Sequence, residues 1–151
     1  MSLSEKDLLA KVPTGLYIGG KWVKGGAADA IAVEDPATGK VLLEIANANA
    51  ADGLAALTAA DEAQAKWART APRERAEILR RTFDLVRERS EEFAMLISLE
   101  MGKPIAEARG EVTYGNEFLR WFSEEAVRVS GRYGTSPEGT GRMLVAQRPV
   151  G

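Results

Sequence analysis

The chain has 151 residues, of which 45% are hydrophobic and 28% are charged, a composition typical of a globular domain with a sizeable core. Its 20 basic and 22 acidic side chains nearly cancel, so the charge does not favour nucleic acid or an anionic membrane as a partner. It contains no cysteine and no histidine, which excludes a thiolate nucleophile and an imidazole base. The start mixes charges of both signs, and no apolar run approaches the roughly 18 residues that cross a bilayer, so we expect a cytoplasmic protein.

Two β-hairpins are predicted within residues 1–48. In the first, residues 16–18 and 21–23 flank Gly19 and Gly20, which tolerate the positive φ angles of a two-residue hairpin turn. In the second, residues 31–34 and 41–45 lie on either side of a turn-rich segment. The chain is therefore expected to begin with antiparallel β-structure.

Helical periodicity replaces this pattern near residue 49. Asn49, with an acid three residues later, predicts a helix start, and the helix that follows has one face of Ala56, Ala60, Ala63 and Trp67. Pro72 opens a second helix, whose predicted buried face is Ile78, Leu79, Thr82, Phe83 and Val86. Ser90 is predicted to cap a third helix that ends at Gly102 and carries Phe93, Leu96, Ile97 and Met101.

The longest predicted helix begins at Lys103 and Pro104 and ends near Ser130, before Gly131. Its main apolar or small stripe is Ile105, Ala108, Val112, Gly115, Leu119, Phe122, Ala126 and Val129. A second stripe beside it consists of Tyr114, Phe118 and Trp121. Two adjacent apolar faces are typical of a helix wedged between the layers of a larger body.

The chain ends in a predicted strand. A loop over residues 131–141 leads to an apolar-rich segment at residues 142–150. An unpaired edge strand normally needs cover, so this ending suggests a natural sequence that was cut short. The predicted fold class is α+β, with N-terminal β-hairpins, a four-helix region and a final strand at residues 142–151.

Several polar features allow a functional and a plainer interpretation. The second helix carries arginines suited to phosphate contacts, but acidic residues interleave with them at pairing distance, which favours a solvated face. The glycine-rich segments match no phosphate-binding loop and are expected to be turns. A catalytic carboxylate needs burial or a close partner to acquire a useful pKa. The spacing of the glutamates on the long helix requires neither (Glu107, Glu111, Glu117, Glu124 and Glu125). Lys21, Lys24 and Lys103 are expected to be solvated.

The stripe of Tyr114, Phe118 and Trp121 stays open between two interpretations. These side chains could line a ligand channel or fill a core, and the pattern alone favours the core. The residues by themselves therefore predict an α+β unit with an incompletely covered helix.

A set of segments, in this order and spacing, resembles the aldehyde dehydrogenases from about Leu16 to Gly151. The segments are residues 16–23 (LYIGGKWV), 35–39 (DPATG), Trp67, 75–80 (RAEILR), 99–104 (LEMGKP), 107–108 (EA), 111–112 (EV), 121–126 (WFSEEA) and 147–151 (QRPVG). Within the family, residues 110–115 (GEVTYG) followed by Phe118, Trp121 and Phe122 are most similar to the succinate-semialdehyde dehydrogenases.

The resemblance implies oxidation of an aldehyde to a carboxylate with NAD or NADP. In the family a cysteine thiolate attacks the aldehyde, hydride passes to the nicotinamide, and a glutamate-activated water hydrolyses the thioester. An asparagine side chain and a backbone N–H stabilise the oxyanion. That asparagine is expected just after Gly151, and the cysteine and glutamate further on. We therefore assign no catalytic, cofactor-binding or metal-binding residue to this chain and expect it to be inactive alone.

The resemblance also implies a place for each segment. Residues 1–48 would form a β-hairpin region, 49–131 a helical region flanking the cofactor-binding domain, and 142–151 a strand of the oligomerisation arm. The long helix borders the substrate entrance in the family, so Tyr114 and Phe118 are expected to face the substrate tunnel. The expected partners are a small aldehyde and further copies of the enzyme, with no nucleic acid and no membrane. A non-catalytic oligomerisation or interaction module is the alternative.

Overall fold

A computed structural model describes residues 4–150 of the chain. The elements in chain order are α1 (Glu5–Leu9), β1 (Leu16–Ile18), β2 (Lys21–Val23), β3 (Ile31–Asp35), β4 (Lys40–Ile45), α2 (Ala50–Trp67), α3 (Pro72–Glu88), α4 (Ser90–Met101), α5 (Ile105–Glu125), β5 (Arg132–Thr135) and β6 (Arg142–Val145). The strands form three separate antiparallel pairs. The predicted α+β class is confirmed. None of the described helices has the length and apolarity to cross a membrane.

Both N-terminal hairpins are confirmed. β1 pairs with β2, and Tyr17 lies opposite Trp22. Gly19 and Gly20 occupy the turn with φ angles of 58° and 79°, the left-handed conformation that glycine adopts without steric cost. β3 pairs with β4, and each of these strands is one residue longer than predicted.

The start of α2 is also as predicted. The backbone N–H of Asp52 donates to the Asn49 side chain at 3.0 Å, and the backbone N–H of Asn49 donates to Asp52 Oδ2 at 2.9 Å, which completes a capping box. Gly26 donates a second backbone N–H to Asp52 Oδ2 at 2.8 Å. The N–H groups of Asn49 and then Gly26 hold the pKa of Asp52 below its usual value, because they stabilise the carboxylate. This carboxylate therefore ties the loop before β3 to the start of α2.

The core lies where α5 packs against α3 and α4. Ala94 and Ala108 have no exposed surface, Val112 is buried beside them, and the surrounding side chains are Val86, Phe93 and Ile97. Alanine at facing positions lets two helices approach closely. Gly102 ends α4 with a φ of 73°, as predicted, and Pro104 is then the N-cap of α5.

Two predicted helix ends are wrong. Ser90 is the first residue of α4, whose N-cap is Arg89 with no side-chain cap bond. α5 ends at Glu125 with Ala126 as its C-cap, about one turn before the predicted end near Ser130. The chain leaves the helix six residues before β5, which begins at Arg132 and needs extended backbone.

The predicted loop over residues 131–141 contains a strand that sequence reasoning missed. β5 pairs with β6, and Arg132 lies opposite Val145. The predicted final strand at residues 142–151 is correct only as far as Val145. Pro149, which lacks a backbone N–H, lies beyond it, and Gly151 is outside the described residues. The edge that was expected to be unpaired is therefore paired along one side by β5.

The predicted buried face of α3 needs correction, and one docked helix was not predicted. In α3 the buried residues are Ala76 and Phe83, whereas Ile78 is 51% exposed and Thr82 is exposed. The N-terminal helix α1 was not predicted, yet its Leu8 is only 1% exposed. Nearby, Leu9 and Val12 line a cleft together with apolar side chains from β3, β4 and α4, so α1 lies against the second hairpin and α4.

Candidate functional site

The candidate site is the exposed aromatic surface of α5. Tyr114, Phe118, Trp121 and Phe122, which we call the aromatic face, are 69%, 48%, 63% and 53% exposed. Together with Glu117 they line an open groove of about 330 Å³. Large apolar side chains that are this exposed, and that adjoin one another, are typical of a surface that meets a ligand or another part of a larger body.

Two rings of the aromatic face contact each other. The centroids of Tyr114 and Phe118 are 5.0 Å apart and their planes lie at 89°. This edge-to-face geometry is a preferred arrangement of aromatic pairs. The two residues that were expected to face the substrate tunnel therefore lie side by side as one apolar wall.

The opposite side of α5 forms a buried seam against α3 and α4. Its buried residues are Ala108, Val112, Asn116 and Ser123. Of the stripe predicted from sequence, Ala108 and Val112 are buried, but Phe122 is 53% and Val129 is 65% exposed. Sequence reasoning missed the two polar residues of the seam, although a spacing of four residues from Ala108 and Val112 points to Asn116.

The polar residues of the seam make different contacts. Asn116 Nδ2 donates to the backbone oxygen of Phe83 in α3 at 3.1 Å, and its Oδ1 has no partner among the described residues. Ser123 Oγ donates to the oxygen of Arg120 at 2.6 Å, within its own helix. Of these two contacts, only that of Asn116 therefore joins α5 to a neighbouring element.

The first turns of α5 are held by polar contacts to α4 and to the linker between the two helices. Ser98 Oγ donates to the oxygen of Lys103 at 2.7 Å, and Lys103 forms an ion pair with Glu111. Arg109 donates to both carboxylate oxygens of Glu91, at 2.9 Å from Nη2 and 3.0 Å from Nε. The guanidinium lowers the pKa of Glu91, because a bidentate pair favours the ionised carboxylate.

Comparison with known proteins identifies the family. Residues 22–151 match the model of the aldehyde dehydrogenase family. The chain belongs to the aldehyde dehydrogenase family. It is 66% identical over 111 residues to a succinate-semialdehyde dehydrogenase of Paenarthrobacter nicotinovorans, an alignment that covers 74% of this chain and 25% of that enzyme.

Two further relatives are similar to this chain, one in sequence and one in both sequence and fold. The succinate-semialdehyde dehydrogenase [NADP(+)] GabD of Escherichia coli (strain K12) is 37% identical over 151 residues, which is 100% of this chain and 31% of the enzyme. The crystal structure of a succinate-semialdehyde dehydrogenase from Burkholderia pseudomallei superposes with a TM-score of 0.80 at 41% identity, covering 85% of this chain and 27% of that one. The chain therefore spans about a quarter to a third of the length of the relatives it matches.

The glycine-rich turn at Gly19 and Gly20 does not fit a nicotinamide dinucleotide. Dinucleotide sites of this class use a glycine-rich turn from a strand into a helix, whose N-terminus meets the pyrophosphate. Gly19 and Gly20 instead join two antiparallel strands. We therefore derive no reaction step through NAD or NADP from these residues.

The other candidate residues lie in ordinary surface contacts. Glu117 pairs with Arg120, and Glu125 pairs with Arg128. On α3, Asp84 lies within ion-pair distance of two arginines, Arg80 at 3.6 Å and Arg87 at 3.1 Å. Exposed pairs of this kind contribute little to stability, and they match the solvated faces that the charge pattern favoured.

Proposed function

We propose that these residues form the N-terminal part of an NAD(P)-dependent dehydrogenase that oxidises a small aldehyde, succinate semialdehyde, to the carboxylate. The observation that carries the proposal is the aromatic face, an exposed apolar surface on a helix whose opposite side packs against α3 and α4. The 66% identity to a succinate-semialdehyde dehydrogenase supports the choice of substrate. One relative whose name specifies NADP(+) supports the choice of cofactor class.

In this proposal Tyr114 and Phe118 form part of the wall of the substrate tunnel. Their edge-to-face contact presents a stiff apolar surface, which orients a short aldehyde chain and limits the access of water. The thiolate chemistry of the family needs a cysteine, and this sequence contains none. The described residues therefore bind and orient the aldehyde, while other parts of the enzyme carry out the reaction, and the 151-residue chain alone is inactive.

The proposal extends to assembly and location. Residues 142–151 would belong to an oligomerisation arm, so the complete enzyme would be a cytoplasmic homo-oligomer. Every residue of β6 is exposed, and Leu144 is 79% exposed. Among residues 4–150, β6 has β5 on one edge and no strand on the other. An apolar strand with such an edge is suited to pairing with a further strand, which supports contact with another copy.

The test compares the complete gene product with the 151-residue chain. Reduction of NAD or NADP by succinate semialdehyde is followed by absorbance, and only the complete product is expected to be active. Tyr114→Ala and Phe118→Ala should raise KM for the aldehyde by roughly tenfold, the low end of what an apolar pocket contact provides. Leu54→Ala is the matched control, because Leu54 is 66% exposed on α2, away from the aromatic face.

Two results would contradict this proposal. One is aldehyde oxidation by the 151-residue chain alone. The other is an unchanged KM in both aromatic variants of an active enzyme. The alternative function, a non-catalytic interaction module, predicts a stable oligomer of the 151-residue chain and an inactive complete product. Light scattering combined with the activity assay distinguishes the two.

A further inference from the structure

The buried seam of α5 is not the most apolar side of the helix. The seam passes through Asn116 and Ser123, while Phe122 remains half exposed. A rotation of α5 by roughly 40° about its own axis, at 3.6 residues per turn, would bury Phe122 and move Asn116 towards the edge of the seam. Hydrophobic burial alone therefore favours a different rotation from the one that the structure has.

The packing around the seam gives little steric reason for the observed rotation. Ala94 and Ala108 face each other with no exposed surface, and their methyl groups do not interlock as larger side chains do. Among the buried residues of α5, Val112 is the one larger apolar side chain. The pair of Arg109 with Glu91 is a directional contact at the start of α5. Further along the helix, small side chains leave the rotation to a second directional contact.

Asn116 supplies that contact. It is only 7% exposed, and its Nδ2 donates to the backbone oxygen of Phe83 at 3.1 Å across the helix–helix interface. An apolar residue here would avoid leaving a buried Oδ1 without a partner, which is an unfavourable state for a buried acceptor. The amide is therefore better explained by the orientation it imposes than by the stability it adds, as with single buried polar residues that specify helix register.

We propose that Asn116 is a positioning residue, whose hydrogen bond to Phe83 sets the rotation of α5 and thereby the direction in which Tyr114 and Phe118 face. These two residues lie two positions before and after Asn116, on the far side of the helix. A rotation of about 40° moves a side chain near the helix surface by roughly 4 Å, enough to move the aromatic wall out of place. The effect on the aldehyde rests on the proposed function, whereas the effect on the helix does not.

The first measurement follows the helix without any substrate. In the 151-residue chain, Trp22→Phe and Trp67→Phe leave Trp121 as the only tryptophan, so its fluorescence reports on the aromatic face. Asn116→Ala should shift the emission to the blue and reduce quenching by acrylamide, because the face turns towards the body of the protein. Ser123→Ala is the matched control, since it removes a buried hydroxyl that bonds only within α5, and it should change neither quantity.

The second measurement follows catalysis in the complete gene product. Asn116→Ala should raise KM for the aldehyde by roughly threefold to tenfold, the fold-change that corresponds to one ordinary hydrogen bond, and leave kcat within about twofold. Ser123→Ala should leave both constants unchanged. Asn116→Gln, which keeps the amide, should recover part of the KM, a rescue that a purely structural role would not give.

A third measurement needs no variant that could fail to fold. The side-chain amide protons of Asn116 in the unmodified protein should exchange slowly with solvent in NMR spectra, because one of them is bonded to Phe83. Fast exchange would overturn the proposal, as would equal fluorescence shifts or equal KM changes for Asn116→Ala and Ser123→Ala. If the complete product oxidises no aldehyde, the proposed function fails, while the fluorescence and exchange results still decide the role of Asn116.

Discussion

Leu8 offers a sharp test of how α1 contributes to stability. Its side chain is 1% exposed and is the largest fully buried side chain of the described residues. Replacing it with alanine removes three carbons, which costs about 2.4 kcal/mol at about 0.8 kcal/mol for each buried methylene. The cavity left behind raises the expected loss to about 3 kcal/mol or more. For a chain of this size the midpoint of thermal unfolding should fall by roughly 6 to 12 °C.

The assay is thermal melting followed by circular dichroism, with Leu54→Ala as the control. Leu54 is 66% exposed, so the same chemical change there should alter the free energy of unfolding by less than about 0.5 kcal/mol. If the two variants melt together, α1 is not docked as the structure has it. A lower midpoint for Leu8→Ala alone, with little loss of helical signal at low temperature, would support the docked helix.

Three further outcomes follow from local geometry. Gly102→Ala should destabilise the chain by about 1–2 kcal/mol, because φ is 73° there. Gly53→Ala inside α2 should instead stabilise it by about 1 kcal/mol. Chemical denaturation measures both changes in the free energy of unfolding, and changes of the same sign would refute the reasoning. Asn49→Ala should lower the free energy of unfolding by about 1 kcal/mol, because the helix cap is lost. Chemical denaturation measures this change too. The pKa values of Asp52 and Glu91 are lowered from 3.8 and 4.5, so their stabilisation is present above those values and lost as the pH falls through the folded-state pKa values. Melting points measured from neutral pH to about pH 3 should show this loss only at the acid end, and less of it in Asp52→Asn.

The features that the sequence predicted correctly depend on short-range rules. Gly19 and Gly20 were expected in a hairpin turn, Asn49 at a helix cap and Gly102 at a helix end, and each holds that place. Such positions are decided by the conformations of a few neighbouring residues. They could therefore be predicted without knowing what the elements pack against.

The features that were missed depend on contacts between distant segments. Nothing local marks Leu8 for burial, since it is buried where α1 packs against other elements. β5 contains two glycines within or next to it and forms only because β6 returns alongside. Asn116 is polar and was left out of the apolar stripe, although its contact with Phe83 lies 33 residues away in sequence. In these three cases long-range packing determines the structure, and the local sequence pattern does not indicate it.

Substitutions on the two sides of α5 should have different effects on stability and on aldehyde binding. The seam of Ala108, Val112 and Asn116 is buried, so a substitution there changes both the free energy of unfolding and the direction of the aromatic face. The aromatic face is at least 48% exposed at each of its residues, so its substitution leaves the described core intact. Ala108→Leu, which overfills a site with no exposed surface, should therefore lower the melting point and raise KM together, since overpacking typically costs about 1–3 kcal/mol. Tyr114→Ala should raise KM at an almost unchanged melting point, because the ring contributes to a wall and not to the core.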